Sequence, residues 1–239
     1  MFYELWISQR YLRSKQREKF ISLTAFISTA GIAVGVIVLI VVIAVMSGFD
    51  KYLEDKLTGT NAHLIVNFPA GLDDEEFIQQ QIRELPSVVA ISAFIAGQAI
   101  IKEGSSVIGI AFRGVDTKKQ QEVTKLKDYL VEGSLDLASN ELVVGRELAY
   151  QLGLKIGDNI DLISPTTLQP VSFKIKGIFN SGMYLYDSNL VITSLKGAQD
   201  FFKLSNQVPG ISIKVDNAYK AEEVKEMACK GYYPVITLP

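Results

Sequence analysis

One stretch limits what this chain can become. From Phe20 to Phe49, FISLTAFISTAGIAVGVIVLIVVIAVMSGF, there is no Asp, Glu, Lys, Arg or His. A helix needs about 20 apolar residues to cross a bilayer core, and this run exceeds that even when tilted. Val36 to Val45 is nearly all β-branched or Leu, types that each favour insertion by roughly 0.3–0.6 kcal/mol at the helix centre. A core helix of a soluble protein keeps a polar face, and this segment has none. A cleaved signal peptide carries an apolar region of about 7–15 residues ending at a small-x-small site. Here the run is far longer, and Ala44-Val45-Met46-Ser47-Gly48 offers no A-x-A. The expectation is an uncleaved transmembrane helix over 20–49.

Charge sets the sidedness. Before Phe20, Arg10, Arg13, Lys15, Arg17 and Lys19 stand against Glu4 and Glu18, a net of +3 that leaves −5 for the rest of a chain of net −2. Lys and Arg flanking a span stay cytoplasmic, which places 1–19 inside and 50–239 outside. The acidic remainder argues against nucleic acid as a partner. Cys229 is the sole cysteine, so no disulfide forms within the chain.

Residues 1–19 combine Phe2, Leu5, Trp6 and Leu12 with the basic run, the pattern of an amphipathic segment on an anionic inner surface, in contact with membrane lipids. Inside the span, Ala25, Ser28, Gly31 and Gly35 recur at three- and four-residue spacing. Such a small-residue face lets another helix approach closely. Beyond the span, Phe49, Leu53 and Leu57 continue a helical stripe among charged residues, predicting a stalk over 50–60 that Gly59 stops.

From Asn61 the pattern is mixed α/β. Strands are expected at His63–Phe68, Val88–Lys102 and Val107–Val115, the last two joined at Glu103-Gly104-Ser105-Ser106. Further strands are expected at Glu141–Val144, Asn159–Ile163, Val171–Phe179, Leu190–Thr193, Gly210–Val215 and Val235–Leu238. Helices are expected at Asp73–Leu85, within the polar stretch Thr117–Lys127, and at Arg146–Leu152, Leu195–Lys203 and Ala218–Lys230. The final strand-helix-strand echoes the first. This predicts a βαβ-type unit from 61–115 with 196–239, and a β-rich insertion over 116–195. The fold class is therefore a membrane protein of α+β type, one transmembrane helix with a stalk followed by a mixed α/β domain.

Catalytic chemistry finds no foothold. There is no G-x-x-x-x-G-K-[ST] to cradle nucleotide phosphates and no G-x-S-x-G elbow. His63 is the sole histidine, with no cysteine cluster to complete a metal site. Asp73-Asp74-Glu75-Glu76 reads as a solvated helix start. No catalytic residue, metal ligand or cofactor is assigned.

Three stretches carry a resemblance. Arg10–Asp50 resembles the start of the permease subunits of lipoprotein-releasing ABC transporters, the LolC/LolE type. Glu141–Ser164, ELVVGRELAYQLGLKIGDNIDLIS, resembles the G-x-x-L-A-x-x-L-x-x-x-x-G-D motif of the periplasmic domain in the MacB-like permease superfamily. Gly177–Leu195, GIFNSGMYLYDSNLVITSL, is similar to the lipoprotein-releasing branch through Gly182-Met183-Tyr184 and Tyr186-Asp187. The bare residues also permit a simpler reading, in which Gly145, Gly153 and Gly157 set turns and Tyr184 and Tyr186 cover a core.

The resemblance implies a MacB-like periplasmic core domain and a non-catalytic permease in the inner membrane. It would be paired with a second permease, the same or homologous, and driven by a cytoplasmic ABC ATPase. The substrate would be an acylated lipoprotein, extracted from the outer leaflet and handed to a periplasmic carrier. By the same resemblance, Val42, Met46 and Phe49 match positions near the outer end of the span where acyl chains are met. Two departures from the family pattern stand out. Three further spans are expected after the periplasmic domain, yet nothing hydrophobic enough follows Phe49, so the chain reads as truncated before a second span. The loop Ser164–Pro170 is also shorter than the hairpin of the family member that recruits the carrier, which argues against direct recruitment here. An alternative is a MacB- or FtsX-like protein that transmits ATPase strokes to another periplasmic partner. A secreted enzyme released by cleavage is the third reading.

Overall fold

The computed structural model describes residues 2–12, 19–60, 62–68, 75–103, 106–205, 207–217, 221–230 and 235–237. Expectations resting on Arg13, Lys15, Arg17, Glu18, Asp73, Asp74, the Gly104-Ser105 turn, Ala218 and Tyr233 lie outside them, as do the side chains of Leu53 and Leu57. Two compact units are present, Met1–Leu53 and Glu54–Pro239.

Helix α1 covers Phe2–Leu12, with its apolar residues only weakly confined to one side. Arg10 lies over the Trp6 ring at 5.7 Å, the i, i+4 spacing that lets a guanidinium cover an indole. Helix α2 runs without a break over Lys19–Thr60, taking in the expected span and stalk. Within it, Leu23–Asp50 is long and apolar enough to cross a membrane, and none of it is buried inside the protein. Lipid leaves no water for exposed backbone groups, so an unbroken helix is the form such a segment must take.

The second unit is built on one sheet of ten strands. Strand β1 (Leu64–Asn67), helix α3 (Glu75–Arg83) and strand β2 (Val88–Glu103) open it; strand β9 (Gly210–Val215), helix α9 (Ala221–Lys230) and strand β10 (Val235–Thr237) close it. Their order is β10-β1-β9-β2, every pairing antiparallel. Two split βαβ units thus interlock, the ferredoxin-like arrangement. Leu64 and Val66 of β1, Ile211 and Ile213 of β9, and Ile91 of β2 pack with Ile82 of α3 and Val224 of α9 in one core.

Between β2 and β9 the chain adds β3 (Ser106–Val115), α4 (Thr117–Val123), α5 (Leu126–Tyr129), β4 (Leu130–Gly133), β5 (Glu141–Gly145) and α6 (Arg146–Gln151). It continues with β6 (Asn159–Ile163), β7 (Pro170–Phe179), α7 (Tyr184–Asp187), β8 (Leu190–Ser194) and α8 (Leu195–Phe202). The pairings β2-β3-β8-β5-β7-β6 return to β2, closing a six-stranded ring. Closure removes the open edges that those strands would otherwise present. β4 adds to β7 outside the ring.

Alternation fills the ring. Ile110 and Phe112, Leu142 and Val144, Ile160 and Leu162, and Phe173 and Ile175 share one core, each pair two residues apart on its strand. Phe201 of α8 enters the same core and stacks on Phe112 at 4.5 Å, with Phe173 edge-on to both rings. The opposite phase, Val143 of β5 and Ile192 of β8, packs with Phe94, Val115, Leu126 and Phe179 in a separate cluster. β2 is long enough to serve both systems: Val88–Phe94 pairs with β9 and Phe94–Glu103 with β3.

Candidate functional site

The sequence points to two places, the apolar helix and the pair of motifs at 141–164 and 177–195. On α2, Ala25, Ser28, Gly31 and Gly35 are all exposed, as are Val42, Met46 and Phe49. No atom outside the helix approaches the place a Cβ would occupy on Gly31 or Gly35. Thr29 Oγ1 donates to the Ala25 carbonyl at 2.8 Å, satisfying its hydroxyl within the helix. An α-helix turns about 100° per residue, which sets Ser28, Gly31, Gly35, Val42, Met46 and Phe49 within an arc of about 60°. Ala25 falls about 60° to one side by the same count. The two groups therefore form one stripe, small toward the start of the helix and bulky toward its end. From Ser28 to Phe49 the stripe is about 32 Å long, close to the thickness of a hydrocarbon core.

The two motifs are locked together. Gly145 ends β5 where the backbone of Asp187 crosses it; a Cβ at Gly145 would overlap Asp187 O, C and Cα. Only a residue without a side chain permits that approach. Gly153 takes a different role: its φ of +64° turns the chain out of α6. β5 pairs with β8 through Val143 and Ile192, while the Thr193 hydroxyl donates to the Glu141 carbonyl at 2.7 Å.

Asp187, only 2% exposed, organises the second motif. Its Oδ1 accepts from Ser181 N at 2.8 Å and Ser181 Oγ at 2.9 Å, and its Oδ2 accepts from Gly182 N at 3.1 Å. Charge-assisted bonds of this kind are about twice as strong as neutral ones. They hold the 180–187 loop as a closed cap over the end of β7. Tyr184, by contrast, is 63% exposed and its hydroxyl accepts from Gln151 Nε2 of α6 at 3.2 Å. It covers no core. Leu185 beside it is also exposed, whereas Tyr186 is half-buried.

Glu141 begins the first motif and is held as a carboxylate. Ala138 N–H donates to its Oε2 at 3.1 Å and Lys176 Nζ to its Oε1 at 3.0 Å. The backbone bond first, and then Lys176, draw its pKa below the usual 4.5. His63 is placed structurally: its Nδ1 accepts from Val215 N at 3.2 Å, and burial keeps its pKa below 6.5. The expected acidic helix start is described from Glu75 onward. The hairpin joining β6 to β7 is as short as expected, with Ile163 paired to Pro170.

A ring of six strands grafted into two interlocked split βαβ units, following one apolar helix along the chain, defines a class. The chain belongs to the MacB-like periplasmic core domain family, whose model matches residues 25–228. It therefore carries a periplasmic domain of α+β fold preceded by an apolar helix. Among named relatives, it is 28% identical over 230 residues to the lipoprotein-releasing system transmembrane protein LolC of Neisseria meningitidis serogroup B, covering 91% of this chain and 55% of LolC. It is 26% identical over 247 residues to the transmembrane protein LolE of Haemophilus influenzae, covering 96% of this chain and 58% of LolE. The chain spans little more than half the length of these relatives. The periplasmic region of MacB from Actinobacillus actinomycetemcomitans shares the fold, with a TM-score of 0.50, 15% identity, and coverage of 77% of this chain and 91% of that one.

Proposed function

We propose that the chain acts as a permease subunit of an ATP-driven transporter that extracts lipoproteins from the outer leaflet of the inner membrane for transfer toward the outer membrane. The observation that carries this reading is the similarity, over more than nine-tenths of the chain, to transmembrane proteins of lipoprotein-releasing systems. The subunit is non-catalytic; hydrolysis belongs to an ABC ATPase on the cytoplasmic side, to which residues 1–19 are exposed. Residues 20–49 span the membrane, 50–60 form the stalk, and the remainder lies in the periplasm. Within it, 61–115 and 196–239 form one subdomain and 116–195 an inserted one.

The stripe on α2 supports the division of labour. Ala25, Ser28, Gly31 and Gly35 receive the helix of a second permease subunit at close range. Val42, Met46 and Phe49 meet the acyl chains of the lipoprotein and of surrounding lipids, with flexible Met suited to irregular chains. A periplasmic carrier takes the extracted lipoprotein.

Site-specific photocrosslinking tests this directly. A photoreactive residue at position 46, in membranes containing a palmitate-labelled lipoprotein, is expected to capture the label in an ATP-sensitive manner. Position 44, nearly opposite on the helix and at about the same depth, is expected to capture little. Equal capture at both positions, or none at 46, overturns the acyl-chain assignment. Sidedness is checked by Tyr184→Cys in a Cys229→Ser background: an impermeant thiol reagent applied from the periplasm should label it.

A further inference from the structure

His63, the only histidine in the chain, stands between the end of α2 at Thr60 and the start of β1 at Leu64. Its backbone is pinned on both sides. Ala62 packs with Ala90 of β2 and Val123 of α4, while Leu64 is fully buried in the split βαβ core. The imidazole itself is half-buried and exchanges protons with solvent. Its Nδ1 accepts from Val215 N at 3.2 Å, across 152 residues of sequence. The register of β1 on β9 gives this bond its place. Leu64 lies opposite Ile213, which carries Val215 two residues beyond the last ladder partner on β1. A side chain thus extends the pairing to a point that the strand does not reach.

An imidazole nitrogen accepts a hydrogen bond only while it carries no proton. Protonation at Nδ1 sets two N–H donors against each other, and the bond from Val215 must break. Val215 is 1% exposed, so its N–H gains little from water in exchange. Among the described residues, the charged groups brought to this point are Lys214 and Asp216 at the end of β9 and Glu122 on α4. β2 contributes the neutral Val88, which pairs with Val215, and Ser87 before it accepts from Asp216 N. Lys214 Nζ donates to the Glu122 carbonyl at 3.0 Å and opposes a second cation nearby. Burial lowers the His63 pKa from 6.5, and Lys214 acts in the same direction. The bond is therefore complete above pH 6.5 and is lost as pH falls through the lower folded-state value.

We propose that His63 is a proton-operated tie between the head of β1, where the chain arrives from α2, and the tail of β9, intact with a neutral ring and released in acid. Histidine is the side chain whose charge changes near neutral pH. Release removes the one bond that joins the chain to β9 before the ladder starts at Leu64, and the ladder itself persists. The tie is a property of the domain and needs no lipoprotein. Only its exposure to acidity outside the cytoplasm rests on the periplasmic placement.

The full chain in detergent micelles carries two probes that need no further assignment. Labelling with 15N-histidine marks a single ring. Lys214-Val215 is the only Lys-Val pair in the sequence, so 13C-lysine with 15N-valine isolates the Val215 amide. At about pH 7.5 the ring is expected in its Nε2–H form, with Nδ1 bare. As pH falls to about 5, the Val215 resonance should move with the same midpoint as the ring, below 6.5. Its protection against exchange should fall about tenfold, the loss of one backbone donor's bond. His63→Gln, whose Oε1 accepts without titrating, should keep that protection at both pH values, and His63→Phe should lack it at both. An Nδ1–H ring at neutral pH, or a Val215 amide indifferent to the ring's titration, overturns the proposal. So does a pH response that survives in His63→Phe, or protection lost uniformly along β9.

Discussion

The span of α2 and the interior of the six-stranded ring are made from the same residues, and they end up in opposite surroundings. Val38, Leu39, Ile40 and Val41 in the span are each more than half exposed, while Leu142, Val144, Leu162 and Ile175 in the ring are entirely buried. What differs is the pattern. An unbroken apolar run has no polar side to offer water, so it forms a helix coated all round and leaves its burial to lipid. Apolar residues at alternate positions give each strand one dry face, and six such faces close on themselves. The first arrangement relies on composition and the second on shape.

That contrast can be broken at the ring most forcefully. Phe112→Ala removes the ring at the centre of the stacked cluster and is expected to cost about 3–5 kcal/mol. Thermal unfolding of the detergent-solubilised chain, followed by near-UV circular dichroism, should show the loss. Leu39→Ala in the span should leave that same transition unmoved within about 0.5 kcal/mol. The span is broken by charge instead. Leu39→Arg is expected to cost about 2.5–3.5 kcal/mol of insertion, read as a larger fraction released by alkaline carbonate washing, whereas Leu39→Ala remains in the membrane pellet.

The seam between the motifs comes next. Asp187→Ala removes the acceptor of three bonds from Ser181 and Gly182 and is expected to cost about 2–3 kcal/mol. Faster amide exchange confined to 180–188 would place the loss there; uniform acceleration over the whole ring would contradict the local role of the clamp. The smallest effect is electrostatic. The lowered Glu141 pKa means that its stabilisation is complete above the ordinary value near 4.5 and fades as pH falls through the folded-state value. Glu141→Gln should therefore lower Tm slightly at pH 7, flatten its decline on the acid side of pH 4.5, and approach the unsubstituted chain at the lowest pH. An unaltered acid limb would remove the ion pair with Lys176 from the account.

Much of the architecture is legible in the sequence where a local signal exists. The strands at 159–163 and 210–215 match their expected limits, and 88–103 and 106–115 differ by one residue, because alternation and turn residues bound each of them. α2 follows from its composition. β4 at Leu130–Gly133 was missed, since its mostly exposed residues show no alternation. α7 escaped notice as a single turn inside the second motif. Ring closure is the deeper gap: Ile100 and Ile101 pair with Ile163 and Leu162, and no short window of sequence records a pairing across some sixty residues. The motifs stood out by resemblance, but their contact through Gly145 and Asp187 emerges only in three dimensions. His63 did leave a trace, as the sole imidazole in the chain. Whether such a ring meets water or a backbone N–H depends on the register that carries Val215 past the end of β1.

β2 carries a mechanical implication. Because one continuous strand runs from the split βαβ sheet into the ring, tension applied along that strand loads its ladder bonds together, in shear, rather than opening them one after another. A head built in this fashion would hand a pull onward instead of absorbing it.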